Sequence, residues 1–238
     1  MKKAIVIGAS SGIGRELALI LSGCGHTVGV MARRIHLLEE LSGQAKCDMF
    51  VRQIDAADPE AAMERLADLI HEMGGVDLIV ITAGTGEINR DLSWRVEKEI
   101  IGTNVTGFAA LANVAMHHFI ERGSGHLVCI SSIGALRGGR ESPAYNASKA
   151  FESNYMEGLR QKITRLGLPV TITDIKPGYV KTAMARGNNI FWAAPADKAA
   201  RQIHSAIKRK KSSAYITRRW KFIAWILKVI PARLYARL

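Results

Sequence analysis

Cysteine is scarce in this 238-residue chain: there are only Cys24, Cys47 and Cys129. Three thiols cannot pair off completely, and their spacing matches no metal-ligand set, so three small buried thiols in a reducing cytoplasm are expected. No window reaches about 18 uninterrupted apolar residues, and no membrane-spanning helix is expected. Only Ala4 to Ile7 are apolar at the amino end, too few for a secretory leader, which needs roughly 7–15. There is no internal repeat and no low-complexity linker. His26, His36, His71, His117, His118, His126 and His204 lack partners at metal spacing, so no metal site is expected. The sharpest absence is acid: residues 198–238 contain no Asp or Glu.

What remains is a chain of ordinary globular composition, 48% hydrophobic and 23% charged, which excludes disorder and fibrous classes. Its net charge of +12 at first resembles that of a polyanion-binding protein. Position divides it. Residues 1–197 carry 21 basic and 21 acidic side chains, so the whole excess lies in the last 41 residues.

Short apolar runs alternate with segments of helical period. Ala4–Ile7, Thr27–Ala32, Met49–Ile54, Leu78–Thr82, His126–Ser131, Val170–Ile175 and Ala214–Thr217 read as strands. Most are apolar without alternation, the pattern of strands covered on both faces. Helices are predicted over Ile13–Ser22, Ile35–Leu41, Pro59–Met73, Asn104–Arg122, Tyr145–Arg165 and Ala196–Lys208. The third has Asp58 as N-cap and Pro59 at its first position. This alternation predicts a doubly wound parallel α/β sheet with helices on both faces. Residues 1–217 would form one catalytic domain and 218–238 a basic amphipathic extension.

Gly8-Ala9-Ser10-Ser11-Gly12-Ile13-Gly14 follows the first strand and opens the first helix. Glycines there permit a tight turn and let backbone N–H groups approach a pyrophosphate at the positive helix end. At the end of the second strand, an acidic residue would hold the ribose 2′-hydroxyl of NAD. Arg33 and Arg34 stand there instead, and a guanidinium can grip a 2′-phosphate, which favours NADP(H). The bland alternative is a pair of solvated charges at a helix start.

Tyr145 and Lys149 lie one helical turn apart on one face. A tyrosine normally loses its proton near pKa 10, and a nearby ammonium favours the phenolate, suiting Tyr145 for general acid–base work. The pair alone is a weak signal. Ser132, ending the strand 13 residues upstream, places a hydroxyl at the sheet edge where open α/β folds bind ligands.

Together these motifs resemble the short-chain dehydrogenase/reductase family over residues 3 to about 190. The resemblance implies a Rossmann-type fold and an oxidoreductase interconverting a carbonyl and an alcohol. It implies that Tyr145 protonates the carbonyl oxygen, that Ser132 steadies that oxygen, and that Lys149 also grips the nicotinamide ribose. Asn104 matches the family residue holding a relay water, and Asp55 the residue contacting adenine. Ala83 and Gly84 belong to the cofactor-lining turn after the fourth strand. In Pro177-Gly178-Tyr179-Val180-Lys181-Thr182, the Pro-Gly turn and Val180 line the cofactor, and Thr182 would bind the carboxamide. Two residues depart from the family pattern, Ile7 for Thr before the loop and Thr82 for Asn after the fourth strand, and they predict weaker local bracing. The family often forms dimers or tetramers through helices matching Asn104–Arg122 and Tyr145–Arg165, so a homo-oligomer is expected.

Ile190, Phe191 and Trp192 fall where the family has its substrate lid, and they could line an apolar pocket or pack in the core. Trp220 to Ile230 holds nine apolar residues out of 11, about 16 Å of helix, half of a bilayer core. With Lys208–Lys211, Arg218, Arg219, Arg233 and Arg237 as flanks and Trp220, Trp225 and Tyr235 as anchors, it suits an anionic membrane surface. Packing against the core or a second subunit is the alternative, and nucleic acid ranks last because no recognition motif accompanies the charge. The expectation is thus a cytoplasmic NADP(H)-dependent reductase for a small apolar or lipid-like carbonyl, held at the cytoplasmic membrane face. The rivals are a non-catalytic NADP-binding regulator and a sugar-nucleotide epimerase, which typically has a larger C-terminal domain. Arg33→Asp should move the NADPH/NADH ratio of kcat/KM toward NADH; an unchanged ratio excludes Arg33 as the discriminating cation.

Overall fold

A computed structural model describes residues 2–182, 192–217 and 219–237. Seven parallel strands form one sheet in the order β3-β2-β1-β4-β5-β6-β9. They are β1 (Lys3–Ile7), β2 (Thr27–Ala32), β3 (Phe50–Gln53), β4 (Leu78–Ile81), β5 (Gly125–Ile130), β6 (Val170–Pro177) and β9 (Ser213–Ile216). All seven predicted strands are present. A two-stranded ribbon, β7 (Val180–Lys181) with β8 (Ala194–Pro195), lies beyond the end of β6.

The apolar strand runs have the expected cause. Ile5, Ile7, Ile79 and Ile81 point into one core with α3 (Pro59–Glu72), α5 (Phe108–Arg122) and α6 (Pro143–Leu166). Ala4, Val6, Leu78 and Val80 point into the other, with α1 (Gly12–Gly23), α2 (Ile35–Gly43) and α7 (Ala196–Lys208). Both faces are buried, so neither alternates with polar residues. Asp58 caps α3 by accepting from the Ala61 N–H at 3.3 Å, with Pro59 in the first turn, as its sequence predicts.

Three features differ from the sequence reading. The helix expected to begin at Asn104 starts ten residues earlier, as α4 (Trp94–Ile101), and runs into α5 through a π-helical turn over Gly102–Gly107. Only Val96 and Ile100 of α4 are buried, so its polar run Glu97-Lys98-Glu99 hides the period. Gly107 is required there because a Cβ would stand 1.9 Å from the Ala56 carbonyl oxygen. Of the three thiols, Cys129 alone is buried; Cys24 ends α1 and Cys47 lies in the turn before β3, both exposed.

The acid-free segment is also not one surface. Lys208–Lys211 precede β9 at the amino edge of the sheet, whereas α8 (Trp220–Val229) and α9 (Ala232–Tyr235) follow it at the carboxyl edge. The four residues of β9 alone separate the two groups by about 13 Å.

At that amino edge, buried His126 meets the Thr173 hydroxyl at 2.7 Å, and Thr173 donates to the Lys211 carbonyl at 2.5 Å. Thr173 must therefore accept from His126, which fixes the Nε2–H form of the ring. Burial, with Lys210 adding to it, lowers the His126 pKa to about 4. The folded state thus prefers neutral His126, so its contribution is present above the unfolded pKa near 6.5 and is lost as pH falls toward 4. Chemical denaturation from pH 7 to 4 should show a loss of up to about 3 kcal/mol from this residue. His126→Gln should flatten that part of the pH dependence; an equally steep profile would exclude His126 as its source.

Candidate active site

The strand order reverses between β1 and β4, and at such a switch point open parallel sheets form their ligand crevice at the carboxyl edge. Gly8, with φ of +92°, leaves β1 in a conformation that favours glycine. A Cβ on Gly8 would lie 2.5 Å from both the Ala83 nitrogen and the Thr82 Oγ1; one on Gly14 would lie 2.4 Å from the Gly8 carbonyl oxygen. Both glycines are needed for this close approach. Thr82 donates its single hydroxyl hydrogen between the carbonyls of Ile7 (2.8 Å) and Gly8 (3.1 Å), so it braces the turn directly. Gly12 opens α1, and Thr182 lies against it: its Cγ2 would be 2.9 Å from an added Cβ. Ile13 packs partly buried beneath the loop. No side chain caps α1 and no acid occupies its first turn, so its N–H dipole is open to an anion.

Beside this loop, the Arg34 guanidinium donates to the hydroxyls of Ser10 and Ser11, each at 2.9 Å. Arg33 lines an adjoining pocket with Gln53, Asp55, Asp58 and Arg65. Gln53 holds the Arg33 carbonyl at 2.9 Å, and Asp55 accepts from the Ala57 N–H at 3.0 Å. Arg65 escaped the sequence reading because on α3 it reads as an exposed helical charge. The donor set fits a nicotinamide dinucleotide: the uncapped helix end could take the pyrophosphate, and the guanidinium and carboxylate groups after β2 and β3 lie beside it for the adenosine end.

The second cluster lies across β5 and α6. Ser132 follows β5, and its Oγ accepts from the Gly134 N–H at 3.0 Å. Pro143 starts α6, which presents Tyr145 and Lys149 on one face. Gly86 makes room for the phenol ring, since a Cβ there would lie 2.7 Å from it. Lys149 is 4% exposed, with its Nζ 5.9 Å from the Tyr145 ring centre and 3.3 Å from the Ile130 carbonyl.

Lys149 has a partner that the sequence reading missed. Glu152 is 1% exposed and holds Nζ with both carboxylate oxygens, at 2.8 and 3.0 Å. Burial pushes Glu152 up to about 7 against the pull of Lys149. Burial by itself would lower Lys149, yet Glu152 and then Tyr145 hold it above its ordinary value and charged. The signal was present, because positions 145, 149 and 152 share one helix face at i, i+4 and i+7.

Asn104 lies fully buried within the π-helical turn. It accepts from the Thr85 N–H and donates to the Thr85 carbonyl, both at 2.8 Å, and donates to Ser148 Oγ at 3.0 Å. It thereby ties the segment after Ala83 and Gly84 to α6. An added Cβ on Gly84 would lie 3.2 Å from Asn104 Oδ1 and 3.3 Å from Lys149 Nζ, a tight fit against both side chains. Pro177 ends β6, Gly178 follows, and Val180 is buried in β7. The Gly178 turn is covered by Trp220, whose ring would stand about 2.1 Å from an added Cβ. Ile190 and Phe191 lie outside the described residues. Trp192 is 45% exposed, with its ring centre 6.4 Å from that of Trp220. The structure thus gathers the two glycine-loop and arginine clusters, Ser132, Tyr145, Lys149 and Asn104 along one sheet edge. Among the described residues no cluster could hold a metal ion.

Comparisons with known proteins bear on the fold and the family. A short chain dehydrogenase family model matches residues 2–191. An uncharacterized oxidoreductase of Myxococcus xanthus is 40% identical over 193 residues, spanning 79% of this chain and 76% of that protein. A short-chain dehydrogenase from Sphingobium yanoikuyae, solved with NADPH, superposes with a TM-score of 0.83 at 19% identity, over 98% of this chain and 97% of that one. One from Burkholderia phymatum, solved with NAD, gives 0.84 at 19% identity, over 94% and 92%. These two likenesses show the fold. On the family match and the Myxococcus relative, the chain belongs to the short-chain dehydrogenase/reductase family of oxidoreductases.

Proposed function

We propose that the protein is an NADP(H)-dependent reductase of a carbonyl, or the reverse dehydrogenase, acting on a small apolar or lipid-like molecule. The observation that carries this reading is the Tyr145–Lys149 pair on one face of α6, with Ser132 following β5 at the same sheet edge. Arg34 with Ser10 and Ser11 supports NADP(H) over NAD, since a guanidinium beside two hydroxyls can grip a 2′-phosphate; in the adjoining pocket Arg33 and Arg65 are matched by Asp55 and Asp58. When bound, the nicotinamide supplies or accepts the hydride. Tyr145 donates its phenolic proton to the carbonyl oxygen as negative charge grows there, and Ser132 steadies that oxygen by hydrogen bonding. Lys149, buried and charged, stabilises the phenolate left behind. Asn104 holds the backbone at Thr85 and the adjacent turn of α6 in register for this transfer. No observation favours the non-catalytic alternative. The outward sides of α5 and α6 are where a homo-oligomer would form.

The reading is tested by following NADPH oxidation against ketones, steroids, long-chain keto-lipids and keto-sugars. Tyr145→Phe should lower kcat by at least about 100-fold while leaving NADPH binding intact; near-wild-type kcat would refute the assignment. Glu152 keeps the buried Lys149 ammonium charged. In Glu152→Gln burial is no longer opposed by a carboxylate, so Lys149 should lose its proton more readily and support Tyr145 less. The kcat for alcohol oxidation should then fall by at least about 10-fold, most at high pH. A variant with wild-type kcat across the pH range would remove Glu152 from the acid–base balance.

A further inference from the structure

The acid-free carboxyl-terminal segment plays no part in the chemistry above, yet it is built into the rim of the active site. Trp220 is buried on the Gly178 turn, 5.5 Å between ring centres from Tyr179, and Ala224 is buried one helical turn later. Arg137, in the segment after Ser132, donates to the carbonyls of Leu227 (3.3 Å) and Ile230 (3.1 Å) and covers the Tyr235 ring at 4.4 Å. Tyr235 in turn donates to the Gly138 carbonyl at 2.6 Å. Two of the aromatic anchors expected at a membrane, Trp220 and Tyr235, are therefore used to fix α8 and α9 to the body.

The opposite face of α8 is different. Phe222, Trp225 and Val229, at i, i+3 and i+7, are 62%, 61% and 57% exposed and form one apolar stripe. Phe222 and Trp225 stack on each other, 6.3 Å between ring centres. Lys221 and Lys228, both exposed, lie along the same side, and Arg233 and Arg237 are exposed in the turn beyond. No Asp or Glu occurs in this segment to neutralise them. A rigid helix with paired aromatics outward and cations alongside is complementary to a surface that is apolar beneath and anionic above. A second copy of the same face is a poor fit, because two-fold pairing would set these lysines against each other.

From this we infer that the outward face of α8 docks on an anionic lipid bilayer, seating Phe222 and Trp225 in the headgroup boundary. The docking places the active-site rim, from Ser132 to Gly178, next to the membrane. Lys208–Lys211, at the other edge of the sheet, take no part.

Co-sedimentation of the full chain with vesicles of phosphatidylglycerol and phosphatidylcholine, against phosphatidylcholine alone, tests this. Binding should require the anionic lipid and weaken as salt rises. F222S/W225S should lose most of it, and K221E/K228E should weaken it by at least about 5-fold per lysine. Variants of the other edge, K208E/K210E, should bind as the wild type does. All are checked for folding by NADPH binding and Tm. Tyr145→Phe should bind vesicles normally, so failure of the catalytic reading leaves this inference standing. A wild-type chain that stays in the supernatant at low salt overturns it. So does F222S/W225S binding equally well, or dissociating an oligomer without changing vesicle binding.

Discussion

Everything at the carboxyl edge of the sheet depends on how closely the turn after β1 can approach the end of β4. Gly8 and Gly14 meet there with no room for a single additional carbon, and Thr82 bridges the carbonyls of Ile7 and Gly8 with one hydroxyl. That contact sets where α1 begins, and therefore where its uncapped N–H groups point. It also holds Ala83 and Gly84 between the glycine loop and Asn104. A side chain at either glycine would push the two strands apart at the switch point, where the crevice of an open parallel sheet forms.

The second constraint is electrical. Lys149 is a buried cation beside Tyr145, and a bare ammonium at that depth would be expensive to keep charged. Glu152 removes the difficulty by binding it with both oxygens from one turn further along α6. Its own burial raises its pKa toward neutrality, so the strength of the compensation varies with pH around 7.

The excess charge of the chain has a structural division that its composition hides. Part of it, Lys208–Lys211, lies at the amino edge, where Lys210 bears on buried His126. The rest follows β9 to the carboxyl edge and surrounds a helix whose inner face is locked to the Ser132 and Gly178 segments. Membrane contact and substrate access would then occur on the same side of the protein.

The strands, the glycine loop and the Tyr145–Lys149 pair were legible in the sequence because each follows from a local rule: period, turn chemistry or one helical turn. Ten residues of helix before Asn104 were not, since α4 buries only Val96 and Ile100 and gains its helical neighbours from α6 and the π-helical turn. Glu152 was legible as a position on a helix face, but not as a buried one. The sequence by itself determined the parallel sheet, the family, and which residue types stand at its edge. Only the tertiary structure decided that Glu152 faces inward, that Trp220 seals the Gly178 turn while Trp225 faces out, and that the cations part to opposite edges. Those outcomes depend on which elements a side chain meets across the fold, and neither period nor spacing along the chain records that.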